Sequence, residues 1–232
     1  MVKSKLLLFD IDGTLLITGG AGRIALEKAF YNFFGIANAW GDLIPDGKTD
    51  PLILDEIGAR TLNRKLTQEE HSKMHDLYHH YFRDEFEKVT RFEIMPAILE
   101  LIPKLHKSDK FVLGVATGNY EEAAWLKLKR ANLHNFFSFG GFGSDAHCRT
   151  EVTAKAIERA KQKSGIHFEK ENIFVIGDTI FDIRAAKNLK VNSVAVATGH
   201  TKKETLLNEN PDCLINNFLE TEKFLNYIEF HE

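Results

Sequence analysis

Two carboxylates flank a single apolar residue in Phe9-Asp10-Ile11-Asp12-Gly13-Thr14-Leu15, immediately after the apolar run at residues 6–9. Side chains alternate along a strand, but a chain that leaves the strand here can turn both acids towards one site at its carboxyl end. Open α/β sheets bind ligands at that edge. The same residue types are ordinary turn chemistry and occur in calcium loops. An EF-hand needs a glutamate at the twelfth loop position, which counted from Asp10 is Ala21, so that reading is excluded.

A second segment, Ile176-Gly177-Asp178-Thr179-Ile180-Phe181-Asp182, again ends an apolar run with glycine and an acid, and adds another acid four residues on. If a helix begins near Thr179, Asp178 and Asp182 face the same side of its opening turn. The helix dipole alone also favours acids at such a position. Two strands delivering acids to one edge decide for a site, because four carboxylates cannot crowd together charged without a cation. Magnesium, a hard ion that prefers oxygen ligands, fits Asp10, Asp12, Asp178 and Asp182. In a third segment, Val115-Ala116-Thr117-Gly118-Asn119, a hydroxyl, a glycine and an amide lead from a strand into a helix. Backbone N–H groups there, with the Thr117 hydroxyl, suit a phosphate oxygen. Asn119 can equally cap the helix, with Glu122 completing a capping-box-like pair.

The elements that must position these residues can be read from periodicity. Strand-length apolar runs lie at residues 6–9, 111–116, 137–139, 173–176 and 193–197, with a sixth candidate at 213–215. From Phe111 onward most are separated by helical patterns, at 122–131, 151–163 and 182–189, which indicates a parallel sheet covered on both faces. The stretch from Leu16 to about Arg91 reads as helix throughout, chiefly 21–34, 50–60 and 67–87, with no strand run. The expected division is therefore a core domain of residues 1–16 and 92–232 and an inserted helical domain of residues 17–91.

The order Asp10-x-Asp12-Gly-Thr, then Thr117, then a basic residue, then Gly177-Asp178-x-x-x-Asp182 resembles the haloacid dehalogenase-like superfamily, and in particular its phosphoglycolate phosphatase-like members. The helical insertion is similar to the family's helical cap. The resemblance implies a Rossmann-like sheet of order 3-2-1-4-5, with Asp10 and Asp178 on adjacent central strands. It implies that Asp10 attacks phosphorus and carries an aspartyl-phosphate, and that Asp12 is the acid and then the base. Asp10, Asp178 and the Asp12 carbonyl would hold magnesium, Asp182 would bind or orient a metal water, and Thr117 would bind the phosphoryl group. The family's usual basic residue is a lysine, often followed by proline. Here the corresponding stretch is His147-Cys148-Arg149-Thr150-Glu151, and the nearest lysine is Lys155. A helix after a parallel strand runs away from the catalytic edge, which places Lys155 further from it than Arg149. Arg149 is assigned to phosphate, with Lys155 in reserve.

Cap residues usually choose the substrate in this family, and Asp46-Gly47-Lys48-Thr49-Asp50 is the candidate loop, with Lys48 as its cation and Asp50 as a helix cap. His71, His75 and His79 recur every four residues, a spacing that can bind metal, although a solvated or partner-facing stripe is the simpler expectation. The expected activity is hydrolysis of a small phosphate monoester, with phosphoglycolate as a first guess. A sugar phosphomutase shares every motif. Asp12 argues against a 2-haloacid dehalogenase, whose halide needs no protonation. Retention of all four acids gives no support to a non-catalytic phosphate-binding module, and the insertion speaks against a receiver-type phosphoacceptor.

The bulk properties agree. The 232 residues are 44% hydrophobic and 27% charged with a formal net charge of −3, which gives no reason to expect a nucleic-acid partner. Cys148 and Cys213 lack metal-ligand spacing and suit a reducing compartment. The opening Met-Val-Lys-Ser-Lys and the short run after it are too quickly charged for a signal peptide or a membrane span. A cytoplasmic monomer or homodimer is expected.

Overall fold

The computed structural model describes residues 4–230; residues 1–3, part of the opening segment read above, lie outside the described residues. Five-residue β1 (Lys5–Phe9) is the central strand. It pairs in parallel with β4 (Phe111–Ala116) on one side and β6 (Ile173–Gly177) on the other. Beyond β4 lies β5 (Gly140–Gly141); beyond β6 lie β7 (Asn192–Val196) and β8 (Cys213–Ile215). All neighbours in this six-stranded sheet are parallel. Counting only its strands, the order is 3-2-1-4-5-6, the expected order with the sixth candidate at the edge.

The alternation of β1 explains the two-sided core. Leu7 and Phe9 point into a cluster with Ile98 and Leu101 of α4 (Ile98–His106), Leu128 of α5 (Glu121–Arg130) and Phe224 and Ile228 of α9 (Thr221–Phe230). Leu6 and Leu8 point to the opposite face, against Ala156 and Ala160 of α6 (Arg149–Ser164) and Ala186 of α7 (Ile180–Leu189). A strand buried on both faces has to be a continuous apolar run, as β1 is.

The edge strand differs from its expected position. The run at residues 137–139 is apolar and its phenylalanines are buried, but the ladder forms at Gly140–Gly141. The reason is steric: a Cβ on Gly141 would stand 1.9 Å from the Val152 carbonyl oxygen, and one on Gly140 2.5 Å from Val115 Cγ2. Only glycine lets this strand pass so close to α6, and glycines give no apolar signal. Similarly, the stretch after Leu16 is not free of strand. Two-residue β2 (Leu16–Ile17) and β3 (Glu93–Ile94) pair antiparallel where the chain leaves and re-enters the core.

Between them lie α1 (Ala21–Phe34), α2 (Asp50–Leu62) and α3 (Gln68–Lys88). Their apolar faces form a separate cluster that includes Phe30, Leu54, Met74, Tyr78 and Phe82, closed from the core side by Tyr120 and Ala123. Thr67 and Glu70 form a capping box at the start of α3, and Gly35 ends α1 in the left-handed conformation. This is the inserted helical cap.

Phe9 packs against Phe137, Phe218 and Phe224 with ring centroids 6.1 to 6.5 Å apart, directly before Asp10. Phe9→Ala is expected to lower unfolding free energy by about 3–5 kcal/mol, measured by urea denaturation; a loss below about 1 kcal/mol would contradict this account of the core.

Candidate active site

Asp10 follows the last residue of β1, and its N–H donates to the Ile176 carbonyl of β6 at 2.8 Å, so the two acid-bearing strand ends are held side by side. Asp178 follows β6, and Asp182 sits in the first turn of α7. One carboxylate oxygen from each of Asp10, Asp178 and Asp182 lies within 4.8 Å of the others, and all three residues are buried. Thr14 donates its hydroxyl to Asp178 Oδ1 at 2.8 Å. Asp182 completes a capping box by accepting the Thr179 N–H at Oδ2 at 3.2 Å, and the same oxygen accepts the Thr179 hydroxyl at 2.7 Å. Backbone closes in on the acids: a Cβ on Gly13, which has φ +81°, would lie 2.4 Å from Asp178 Oδ2, and one on Gly199 1.7 Å from it.

Among the described residues, one cation faces this cluster directly. Arg149 opens α6, is buried, and places Nη2 2.8 Å from Asp10 Oδ1 and 2.6 Å from Asp182 Oδ1. Its Nε donates to the same Asp182 oxygen at 2.9 Å. Lys155, the reserve candidate, pairs instead with Glu158 of its own helix at 2.8 Å, with its side chain 40% exposed. Burial pushes Asp10 up to about 6, against the pull of Arg149 and with the Asp182 charge adding to the rise. Burial, with the charges of Asp10 and Asp182, holds Asp178 well above the usual carboxylate range. Three buried carboxylates opposed by one arginine leave an excess of negative charge, and their oxygen-only donor set fits a hard divalent cation.

Asp12 points into a second, neighbouring network. Its Oδ2 lies 2.6 Å from Lys127 Nζ and accepts from the Asn119 amide at 2.7 Å. Asn119 also donates to the Thr117 hydroxyl at 2.7 Å and accepts from Lys127 at 2.5 Å. Asn119 does not cap α5: Tyr120 occupies the N-cap without a side-chain bond, and the Glu121 N–H is satisfied by Ser144 at 3.0 Å. The amide is drawn instead to the buried charges beside it. Lys127 was not foreseen from the sequence. The signal was present, since Lys127 shares the buried stripe of α5 with Ala123, Ala124 and Leu128, and a lysine in an apolar stripe is rarely buried unpaired.

The cap loop meets the core along this same edge. Asp50 N–H donates to the Gly118 carbonyl at 2.8 Å, and Asp50 Oδ2 accepts from the Tyr120 N–H at 2.8 Å. Thr49 caps α2, so the expected cap role of Asp50 falls to its neighbour, and the Asp50 carboxylate is free to bind across to the core. Thr49 Oγ1 also donates to the His147 carbonyl at 3.0 Å. Gly118 is required here, because a Cβ would stand 2.1 Å from the Lys48 carbonyl oxygen. Lys48 itself pairs with Glu56 at 2.5 Å. Between cap and core lies a cavity of about 640 Å³. Asp10, Asp12, Thr117 and Arg149 line its floor, and Trp40 and Lys48 belong to its cap side.

Residues 7–196 match the family model of the haloacid dehalogenase-like hydrolases. The chain belongs to this family. It is 24% identical over 216 residues to a phosphoglycolate phosphatase of Vibrio cholerae serotype O1, covering 91% of this chain and 92% of that protein. It is 26% identical to the pyrophosphatase PpaX of Listeria monocytogenes serotype 4b, covering 92% of each. A crystal structure of a hydrolase from Pseudomonas syringae superposes with a TM-score of 0.72 at 20% identity, covering 97% of this chain and 99% of that one. No helix among the described residues is long and apolar enough to cross a membrane.

The raised Asp10 value makes a signed prediction. A carboxyl whose folded pKa lies above its unfolded value stabilises the fold below the unfolded pKa and loses that contribution as pH rises through the folded one. In EDTA, the stability of the wild type relative to Asp10→Asn should therefore fall as pH rises from about 4 past about 6, as measured by urea denaturation. A difference that rises or stays level across that range would contradict the burial assigned to Asp10.

Proposed function

We propose that the protein is a magnesium-dependent phosphatase that hydrolyses a small phosphate monoester through an aspartyl-phosphate on Asp10. The observation that carries this reading is the pairing of two environments two residues apart. Asp10 is buried among carboxylates with Arg149 at 2.8 Å, while Asp12 faces the cavity, hydrogen-bonded to Asn119 and Lys127. An Asp10 oxygen attacks phosphorus and the ester P–O bond breaks, with Asp12 giving its proton to the leaving oxygen. Asp12 then takes a proton from water, whose oxygen attacks phosphorus. The bond to Asp10 breaks, releasing inorganic phosphate and restoring the carboxylate.

Asp10, Asp178 and the Asp12 carbonyl would hold the metal, with Asp182 orienting its water; bound there, magnesium offsets the charge that crowds the site. Arg149 is set to draw the phosphoryl oxygens towards Asp10, and the Thr117 hydroxyl with the Gly118 and Asn119 backbone lines the other side. Residues 17–91 serve as the cap and residues 1–16 and 92–232 as the catalytic core. The cavity of about 640 Å³ between cap and core is of a size for a small molecule rather than a folded phosphoprotein. Lys48 faces it as the residue for choosing among substrates. The names of the Vibrio and Listeria relatives make phosphoglycolate the first ester to try, with pyrophosphate, an anhydride, as the comparison substrate.

Phosphate release from a panel of small esters should require magnesium, stop with excess EDTA, and vanish in Asp10→Asn. Release that persists in a pure Asp10→Asn preparation would sink the nucleophile assignment. No release from any ester, but turnover of a sugar phosphate with a bisphosphate activator, would make the protein a mutase. Arg149→Ala should lower kcat by on the order of 100-fold or more, as loss of a charged donor at a developing charge does. Lys155→Ala should stay within about 2-fold, in keeping with its exposed intrahelical pair; the reverse ranking would show the phosphate-binding cation to be misplaced.

A further inference from the structure

The histidine stripe of α3 divides in two. His71 turns to Asp55 of α2, with Nε2 2.9 Å from Asp55 Oδ1. His75 and His79 turn the other way, towards Glu122 in the first turn of α5, on the core. His75 Nε2 lies 3.7 Å and His79 Nε2 3.0 Å from Glu122 Oε2, and one ligand atom from each of the three residues lies within 4.8 Å of the others. Ligands held tetrahedrally at the usual zinc distances of about 2.0–2.2 Å stand about 3.4 Å apart. The separations of His75 and His79 from Glu122 bracket that value.

Two further features separate this cluster from an ordinary ion pair. The buried Nε2 of His79 has no hydrogen-bond partner, although Glu122 is 3.0 Å away, because the approach has the wrong direction for an N–H···O bond. Lone pairs that converge without bonding one another are what a shared cation needs. His75 also presents Nε2 to the cluster while its Nδ1 lies 3.3 Å from Asp76 Oδ1. A carboxylate behind the ligating ring fixes the tautomer that leaves Nε2 free for metal. Burial lowers the His79 pKa, against the pull of Glu122. Arg83 and Lys129 line the same hollow and oppose a cation there, so the carboxylate of Glu122 is indispensable to the site.

We propose that His75, His79 and Glu122 bind a transition-metal dication, zinc foremost, that clamps α3 of the cap to α5 of the core. The donor set is two imidazoles and one carboxylate, with water completing the shell. It differs in kind from the oxygen-only set of Asp10, Asp178 and Asp182, so the two sites select different metals. Because its ligands come from both cap and core, bound zinc favours the closed arrangement.

The test is zinc retained per chain after dialysis in excess magnesium, for the wild type, His79→Ala and Asp178→Asn. The expected result is one zinc in the wild type and in Asp178→Asn, with affinity at least about 100-fold weaker in His79→Ala, since even outer-shell partners of a metal site are worth about 10–100-fold. Zinc should also raise the melting temperature of the wild type and not of His79→Ala. Circular dichroism of His79→Ala without zinc, together with its magnesium-supported hydrolysis, establishes that this variant is folded. Glu122→Gln, exposed and on a helix surface, repeats the comparison where folding is not in question. Equal zinc retention in wild type and both cluster variants, zinc lost in Asp178→Asn alone, or no zinc in the wild type would each overturn the proposal.

Discussion

Mutual repulsion among Asp10, Asp178 and Asp182, buried at the carboxyl ends of two adjacent strands, is the constraint around which the molecule is arranged. Water is excluded from their flanks, so their charges are poorly screened, and Asp10 and Asp178 hold protons above the usual range. Much of the local structure can be understood as restraint on this cluster. Asp182 is tied to Thr179 and Arg149, Asp178 to Thr14, and the backbone at Gly13 and Gly199 leaves Asp178 no room to retreat. Burial and like charge at such a placement work against stability, which is a common cost of function.

The second network shows the opposite electrostatics. Asp12, Asn119, Thr117 and Lys127 form a connected set in which each polar group meets a complementary one. A satisfied network of this kind specifies orientation. Two carboxylates separated by one residue thus occupy contrasting surroundings, one crowded with acids and one neutralised by a lysine. Different surroundings are how similar side chains acquire different tasks.

Much of this was legible in the sequence. The acids announce themselves by ending apolar runs, and the sheet order follows from the family resemblance. Arg149 was separable from Lys155 because a helix that starts at the sheet edge carries its later residues away. What the sequence hid has physical reasons. Gly140–Gly141 forms a strand through the absence of side chains, so hydrophobic periodicity places it too early. The β2–β3 pairing is two residues long, below what a pattern can register. Lys127 carries only the faint signal of a charge set in the apolar stripe of α5, and Thr49 and Asp50 are equally good caps on paper. Glu122 meets His75 and His79 only because the cap folds back over α5, which no local spacing encodes.

The short β2–β3 ribbon has a mechanical consequence. Because Leu16 and Ile17 are zipped to Ile94 and Glu93, the helical cap is tethered at one place, with both chain crossings side by side. A body held at one edge moves as a lever, with displacement that grows with distance from the pivot. Thr18 and Arg91 lie beside the ribbon, next to the pivot. The loop at residues 46–50 has no such tether. It is joined to the core only by breakable contacts, among them the hydrogen bonds of Thr49 and Asp50 to His147, Gly118 and Tyr120. Those bonds exchange for water at modest net cost, so the latch end yields before the pivot does.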